Sequence, residues 1–209
     1  MSHRTGLILD FDGVLTTSVA AGVAAYERRE GLRKGAFSAV ITRDPEGAAL
    51  YRELERGAIS QREWNERTAA ILGVGPANLC GRVLADLAPE PSVIAAVQAA
   101  RLAGVKVGIF ANGIGTEPFD PYEGYDFNRL YDAVLISEHY GMRKPDPALY
   151  RIMLDLMDLP GECCVFVDDT AHHLPPAAEL GVATVHATDP AGTIAQLEAL
   201  LGVPLGVEV

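Results

Sequence analysis

The chain has few cysteines, few basic residues and no long apolar run. It carries three cysteines, and two of them, Cys163 and Cys164, are adjacent in an apolar segment. An odd number placed this way argues against a disulfide framework and against a zinc site, so we expect reduced thiols and a cytoplasmic location. No apolar run approaches the ~18 residues of a membrane span, and the first one begins too near Met1 for a secretory signal. We therefore expect no membrane partner.

Basic side chains are scarce relative to acidic ones. The 17 lysines and arginines stand against 28 aspartates and glutamates, which gives a formal net charge of −11. A chain of that charge repels phosphate backbones, so we expect a small molecule rather than a nucleic acid as its partner. The sequence leaves a monomer and a homodimer equally open.

From about Val105 onward, short apolar segments alternate with helical patterns. Asp146-Pro147 and Asp189-Pro190 each place an N-cap before a proline at the first helical position, and Gly104 and Gly181 lie where helix-ending glycines belong. This alternation predicts an α/β fold with a Rossmann-like, doubly wound parallel sheet. The predicted strands are residues 6–10, 105–110, 133–136, 163–167 and 182–185.

Residues 17–88 carry helical patterns and no strand pattern. Helices are predicted to begin at Asp44-Pro45, at the capping box Ser60-Gln61-Arg62-Glu63 and at Gly75-Pro76. We therefore predict a core domain of residues 1–16 and 89–209, with an all-helical cap domain of residues 17–88 inserted after the first strand. The segment 113–129 lacks a clear period and is predicted to be a long loop bordering a site.

Two acidic pairs follow predicted strands. Asp10 and Asp12 flank Phe11 at the end of the first strand, and Asp168 and Asp169 end the fourth. Residues two apart in a strand face the same way, so Asp10 and Asp12 converge while Phe11 turns to the core. Parallel sheets gather ligands at the carboxyl ends of their strands, and clustered carboxylates need a hard cation such as Mg²⁺. The plain alternative is an acidic pair in a surface turn.

Two other segments carry groups that can bind an anion. Lys144 stands just before a predicted helix and can supply fixed positive charge to a phosphoryl group and to acidic neighbours. The second strand runs into Ala111, Asn112 and Gly113, whose backbone amides can donate to an anion. For Lys144 the plain alternative is an ordinary surface lysine.

These motifs, in this order, resemble those of a known family. Asp10-Phe11-Asp12-Gly13-Val14, Phe110-Ala111-Asn112-Gly113, Lys144 in Arg-Lys-Pro-Asp-Pro, and Asp168-Asp169 resemble motifs one to four of the haloacid dehalogenase-like hydrolases. The helical segment is similar to the cap of subclass I, and Leu54-Glu55-Arg56-Gly57-Ala58-Ile59-Ser60 resembles the cap of its epoxide-hydrolase-like branch. The resemblance covers essentially the whole chain.

The resemblance implies a role for each matched residue. Asp10 is implied to attack phosphorus and form an aspartyl phosphate, and Asp12 to protonate the leaving alcohol and later accept a proton from water. Dehalogenase and phosphonatase members lack an aspartate at the position of Asp12, so its presence favours phosphate ester hydrolysis or phosphoryl transfer. Mg²⁺ is implied to bind Asp10, the Asp12 carbonyl and Asp169, with Asp168 in support. Lys144 is implied to hold Asp10 and the phosphoryl oxygens.

Two positions depart from the family. The second motif usually has serine or threonine where this chain has Ala111, and a lost hydroxyl donor costs on the order of 10²-fold in turnover. The position often held by asparagine is here His173, preceded by His172. Polar support or a solvent-facing position is favoured for both histidines over a catalytic or metal-binding role.

Three functions therefore compete. The first is a Mg²⁺-dependent phosphatase acting on small organic phosphate monoesters. The second is a catalytically weakened phosphate-binding or regulatory protein, which the absence of a hydroxyl at Ala111 motivates. The third is a phosphomutase, which returns the phosphoryl group to a sugar. The substrate itself is not fixed by the sequence, because the side chains that meet it are assembled only in the fold.

Overall fold

The strands form one parallel sheet. The computed structural model describes residues 4–206, so residues 1–3 and 207–209 of the predicted core lie outside the described residues. The strands are β1 (Gly6–Leu9), β2 (Lys106–Ala111), β3 (Ala133–Ile136), β4 (Cys164–Asp168) and β5 (Ala183–His186). All pairings are parallel, in the order β3-β2-β1-β4-β5. Each predicted strand is confirmed to within one residue at either end.

Ten α-helices are found among residues 4–206. Those that precede β2 are α1 (Val19–Arg29), α2 (Ala36–Thr42), α3 (Pro45–Glu55), α4 (Gln61–Leu72), α5 (Leu79–Val83) and α6 (Pro91–Leu102). The later ones are α7 (Phe127–Leu130), α8 (Pro147–Met157), α9 (Pro175–Glu179) and α10 (Pro190–Leu201). In this part of the chain no helix has the length and apolarity that crossing a bilayer requires.

Helices cover both faces of the sheet. Along β1, Leu7 and Leu9 pack into one buried cluster and Ile8 into another, as the two-residue period of a strand dictates. The first cluster includes residues of α6 and α10, and the second includes residues of α8 and α9. The sheet is therefore buried on both sides, and its carboxyl edge stays available for a site.

Helices α1 to α5, here called the helical insert, have a hydrophobic core of their own. Tyr26, Leu50 and Trp64 are among its buried members. The chain leaves and re-enters the sheet domain at adjacent points, because Thr16 and Pro89 form an antiparallel bridge and the Thr17 amide donates to the Ala88 carbonyl at 2.8 Å. The points where the chain leaves and re-enters the sheet domain coincide with the boundaries that the sequence predicts. That the insert is a separate domain stays a prediction.

Local signals placed most helix starts correctly. Asp44 and Ser60 cap α3 and α4 as expected. The helix expected at Gly75-Pro76 was wrong, because Asn78 takes a left-handed conformation, with φ at 47°, and the helix begins only at Leu79. The three cysteines are free, as expected.

Candidate active site

The carboxyl edge of the sheet brings Asp10, Lys144 and Asp168 together. The Lys144 Nζ lies 2.8 Å from Asp10 Oδ2 and 2.7 Å from Asp168 Oδ2, and it donates to the Phe110 carbonyl at 2.9 Å. The lysine is fully buried, with 0% exposure. Burial tends to lower the pKa of Lys144, but the charges of Asp10 and Asp168 outweigh it and the pKa is raised. Lys144 is therefore a fixed internal cation rather than a surface lysine.

Asp10 is buried beside this cation. Its amide donates to the Val167 carbonyl at 2.9 Å, which continues the pairing of β1 with β4. Burial raises the pKa of Asp10 well above its ordinary value, and the charge of Lys144 offsets part of that rise. A second positive charge nearby would favour the ionised form that a nucleophile needs.

Asp12 follows Asp10 by two residues and forms no ion pair within residues 4–206. Phe11, between the two carboxylates, turns into the core, as the alternation of side chains along a strand predicts. Its ring packs edge-on against Tyr122 and Tyr125, with ring centroids 5.0 and 4.7 Å apart. The Asp12 Oδ1 is buried and has no hydrogen-bond partner among the described residues. Burial and the charge of Asp169 raise the pKa of Asp12 to about 6. Such a carboxyl can hold a proton near neutral pH and release it in a reaction.

The Asp168 carboxylate is saturated by its neighbours. Both of its oxygens lie 3.1 Å from the His173 Nδ1, in addition to the contact with Lys144. Although burial raises the pKa of Asp168, the charge of Lys144 and the hydrogen bond from His173 lower it well below its ordinary value. His173 is thus buried polar support for Asp168, whereas His172 is exposed.

Asp169 faces the turn after Asp12. Gly13 has φ at +73°, and a Cβ at this position would collide with the Asp169 carboxylate. The turn and the carboxylate therefore fit closely only because Gly13 has no side chain. Burial raises the pKa of Asp169 while a hydrogen bond from Thr170, at 3.0 Å, opposes the rise. No ion pair to Asp169 is formed within residues 4–206.

Two carboxylate groupings can be compared as cation sites. Asp10, Asp168 and His173 offer ligand atoms within 4.8 Å of one another, but the Lys144 ammonium already sits against two of them. Asp12 and Asp169 have no ammonium or guanidinium partner in the described structure, and the charge of Asp169 raises the pKa of Asp12. These two carboxylates are therefore the ones whose charge the neighbouring side chains leave uncompensated.

Packing and hydrogen bonds to neighbouring segments fix the end of β2. Ala111 is 3% exposed and packs in the apolar core. The Asn112 side chain accepts from the Lys144 amide at 2.8 Å, so it positions the lysine loop. The Gly113 amide donates to Ser137 Oγ at 3.0 Å. The structure thus brings Ala111 and Asn112 to the site edge, but the Gly113 amide, expected as an anion donor, is occupied by Ser137.

Sequence reasoning missed Glu55 and Arg143. Glu55 ends α3 of the helical insert and is buried. Its Oε2 lies 2.5 Å from Arg143 Nε, its Oε1 accepts from Asn112 at 3.3 Å, and its carbonyl accepts from Ser137. Burial raises the pKa of Glu55 to about 7. A glutamate on the apolar face of a helix was the available signal, but its partners lie too far along the chain to be inferred.

Gln61 links the insert to the long loop that follows β2. Its side-chain amide donates to the carbonyls of Ile114, Gly115 and Phe119 at 3.0 to 3.3 Å, and its oxygen accepts from the Phe119 amide at 2.9 Å. The loop predicted from the sequence is present, apart from the short helix α7. Its residues Phe119 and Asp120 line a cavity together with Asp12.

The family assignment follows from a match to nearly the whole chain. A family model described as haloacid dehalogenase-like hydrolase matches residues 5–181. The chain belongs to the haloacid dehalogenase-like hydrolases. The expected family is therefore confirmed, and so is the expected Rossmann-like fold.

Relatives of this hydrolase include named phosphatases. The glyceraldehyde 3-phosphate phosphatase of Methanocaldococcus jannaschii is 23% identical over 191 residues, covering 86% of this chain and 83% of that protein. The bifunctional epoxide hydrolase 2 of Sus scrofa is 39% identical over 75 residues, 36% of this chain. That match spans only 14% of the epoxide hydrolase. Similarity to it therefore concerns one segment.

Solved structures agree on the fold. A haloacid dehalogenase-family enzyme from Bacteroides thetaiotaomicron, in complex with magnesium and inorganic phosphate, superposes with a TM-score of 0.67 at 17% identity. The match covers 89% of this chain and 96% of that one. The likeness establishes the common architecture of the hydrolase and its neighbour.

Proposed function

We propose that the protein is a Mg²⁺-dependent phosphatase of small organic phosphate monoesters. The observation that carries this proposal is the juxtaposition of four differently tuned groups. Lys144 holds its positive charge against Asp10 and Asp168 is held ionised. Asp12, whose Oδ1 has no hydrogen-bond partner among the described residues, has a pKa near neutral pH. A nucleophile, an electrostatic clamp and a proton donor are the groups that phosphoryl transfer through a covalent intermediate requires.

Mg²⁺ suits the donor set. Asp10, the Asp12 carbonyl and Asp169 are the proposed ligands, and Asp168 supports the site indirectly because its oxygens are engaged by Lys144 and His173. All of these donors are oxygens, which Mg²⁺ prefers. When bound, the ion supplies charge that offsets repulsion between Asp10 and an anionic ester. The magnesium and phosphate held by the Bacteroides thetaiotaomicron neighbour support this assignment.

The proposed reaction has two steps. An Asp10 oxygen attacks phosphorus, the bond from phosphorus to the ester oxygen breaks, and the Asp12 carboxyl gives its proton to the departing alkoxide. Water then attacks the phosphorus of the aspartyl phosphate, Asp12 accepts its proton, and Asp10 is regenerated as inorganic phosphate leaves. Lys144 stays protonated throughout and holds the Asp10 carboxylate in position.

A phosphate-binding protein with little turnover is the second candidate. It is favoured by Ala111, which offers no hydroxyl to the phosphoryl group, and by the Gly113 amide, which is bonded to Ser137. Both features remove donors that would stabilise the charge developing in the transition state. This candidate predicts saturable binding of inorganic phosphate without hydrolysis of any ester.

The test is phosphate release from a panel of monoesters. We expect release that requires Mg²⁺, stops with excess chelator and is abolished in Asp10→Asn. Asp155→Asn, an exposed substitution on α8, is the matched control and should keep full activity. Binding of phosphate without release from any ester would favour the second candidate.

A further inference from the structure

An apolar cavity opens from the proposed proton donor into the helical insert. It has a volume of about 70 Å³ and twelve lining residues, of which Asp12 is the one that carries charge. Its walls come from every helix of the insert and from the segment after β2. Representative members are Val23, Phe37, Tyr51, Trp64, Val83 and Ile114. The cavity therefore joins the reacting centre to the core of the insert.

The position of Asp12 decides what can occupy this space. Its buried Oδ1 has no partner among residues 4–206. In the proposed reaction Asp12 protonates the oxygen that links phosphorus to the alcohol, so the carbon attached to that oxygen must lie beside it. The next atoms of the alcohol then meet the apolar walls. There the ring centroid of Trp64 lies 6.3 Å from that of Phe37 and 6.2 Å from that of Tyr51.

Apolar walls select against polar alcohols. Besides Asp12, the lining residues with polar side-chain atoms are Tyr51, Trp64 and Cys80, and the Trp64 Nε1 has no hydrogen-bond partner among residues 4–206. A polyhydroxy or charged group placed there would lose more hydrogen bonds to water than these few atoms return, whereas methylene groups gain from burial. An apolar cavity of about 150 Å³ holds the six carbons of benzene, so this cavity of about 70 Å³ takes about three heavy atoms. Resting on the proposed function, we propose that the substrate is the phosphate monoester of an apolar alcohol of about four carbons, of which the first lies beside Asp12 and the others occupy this cavity.

A second cavity gives the competing prediction. It has a volume of about 260 Å³, also touches Asp12, and is lined by Asp120 and Glu123 of the long loop. A polyhydroxy or cationic alcohol would suit that acidic, wider space. Preference between the two kinds of alcohol therefore reports which cavity receives the leaving group.

The experiment measures kcat/KM for ethyl, butyl, hexyl and octyl phosphate and for glycerol 3-phosphate, by phosphate release. We expect a rise of about fourfold per methylene up to butyl, then no further gain, and glycerol 3-phosphate near the bottom of the series. A flat series, or glycerol 3-phosphate as the best substrate, would overturn the inference and place the leaving group in the acidic cavity.

Trp64 provides a readout that does not depend on turnover. It is the one tryptophan of the chain and is 2% exposed, so its fluorescence should change saturably with butyl phosphate and not with glycerol 3-phosphate. A saturable change without phosphate release from any ester would refute the proposed function and keep the cavity as a ligand site. No change and no release would refute both.

Two matched valine substitutions locate the effect. Val23→Phe fills the cavity and should bring kcat/KM for butyl phosphate down towards that for ethyl phosphate. Val74→Phe makes the same change on the insert at a half-buried position outside the cavity, and it should keep the rise with chain length. An unchanged preference in a folded Val23→Phe protein would overturn the assignment.

Discussion

Replacing Lys144 by methionine should strongly destabilise the protein at neutral pH. Methionine keeps most of the side-chain length but removes the ammonium that contacts Asp10 at 2.8 Å, Asp168 at 2.7 Å and the Phe110 carbonyl at 2.9 Å. Removing one partner from a buried ion pair costs about 3–5 kcal/mol, because the remaining charge is left without compensation. Here two carboxylates lose the same partner, so the upper part of that range is expected.

The pH dependence of the loss follows from the carboxylates. In the wild type Asp168 has a lowered pKa, so its contribution to stability is present above its unfolded value of 3.8 and is lost as the pH falls through the folded value. Without Lys144, burial raises the pKa of both Asp10 and Asp168. The folded variant then binds protons that the unfolded chain releases, and its deficit relative to the wild type should shrink below about pH 5.

Urea unfolding followed by far-ultraviolet circular dichroism measures this loss. Lys34→Met, an exposed lysine outside the site, is the control and should stay within about 0.5 kcal/mol of the wild type. Adding Asp10→Asn to Lys144→Met should recover part of the loss, because one uncompensated charge is removed. A loss below about 1 kcal/mol at pH 7, or an equal loss in the control, would refute this account of the buried cation.

Three further predictions concern the neighbours of this cluster. Ala111→Ser should raise turnover by about 10²-fold by restoring a hydroxyl donor, while Ala133→Ser, also buried in a strand, should not; equal turnover in both variants would contradict the role of the missing hydroxyl. Gly13→Ala should increase the Mg²⁺ concentration for half-maximal activity, because the added Cβ displaces Asp169. Gly31 has a similar φ of +66° and no neighbour within 4 Å, so Gly31→Ala should change stability alone. An equal increase in the required Mg²⁺ concentration in both variants would count against Asp169 as a ligand. Burial raises the pKa of Glu55 from 4.5 to about 7 against the opposing charge of Arg143. The protonated Glu55 therefore contributes about 3 kcal/mol of stability below about pH 4.5, and this contribution is lost as the pH rises to about 7. The free energy of unfolding in urea should depend less on pH in Glu55→Gln than in the wild type, and an equal pH dependence in the two proteins would contradict the shift.

The elements of the sheet could be predicted because their signals are local. Apolar runs mark the strands, and residues such as Asp44, Ser60 and Asp189 mark helix starts through hydrogen bonds made within one turn. Where a local signal was overridden, at Gly75-Pro76, the cause was also local: Asn78 adopts a left-handed conformation that delays the helix. The order of the strands is set by packing of the whole chain and was not predicted.

The residues of the candidate site also divide into those that local signals predicted and those that only the packed fold brings together. Asp10 and Asp168 were expected to converge because parallel strands end at one edge of the sheet, and the family resemblance implied that Lys144 holds Asp10. The structure brings all three together. Glu55 could not be linked to Asn112, which lies 57 residues away, since that contact exists only when the helical insert packs on the sheet. The apolar cavity is equally a product of packing, because its walls come from six separate segments.

The most direct test of the proposed chemistry is to trap the covalent intermediate. The protein is mixed with a hydrolysed monoester and Mg²⁺, quenched in acid during the first turnover, digested and examined by peptide mass spectrometry. The account predicts one added phosphoryl group on Asp10, dependent on Mg²⁺ and absent in Asp10→Asn. Phosphate release in the first turnover with no label on Asp10, or with the label on another residue, would contradict it.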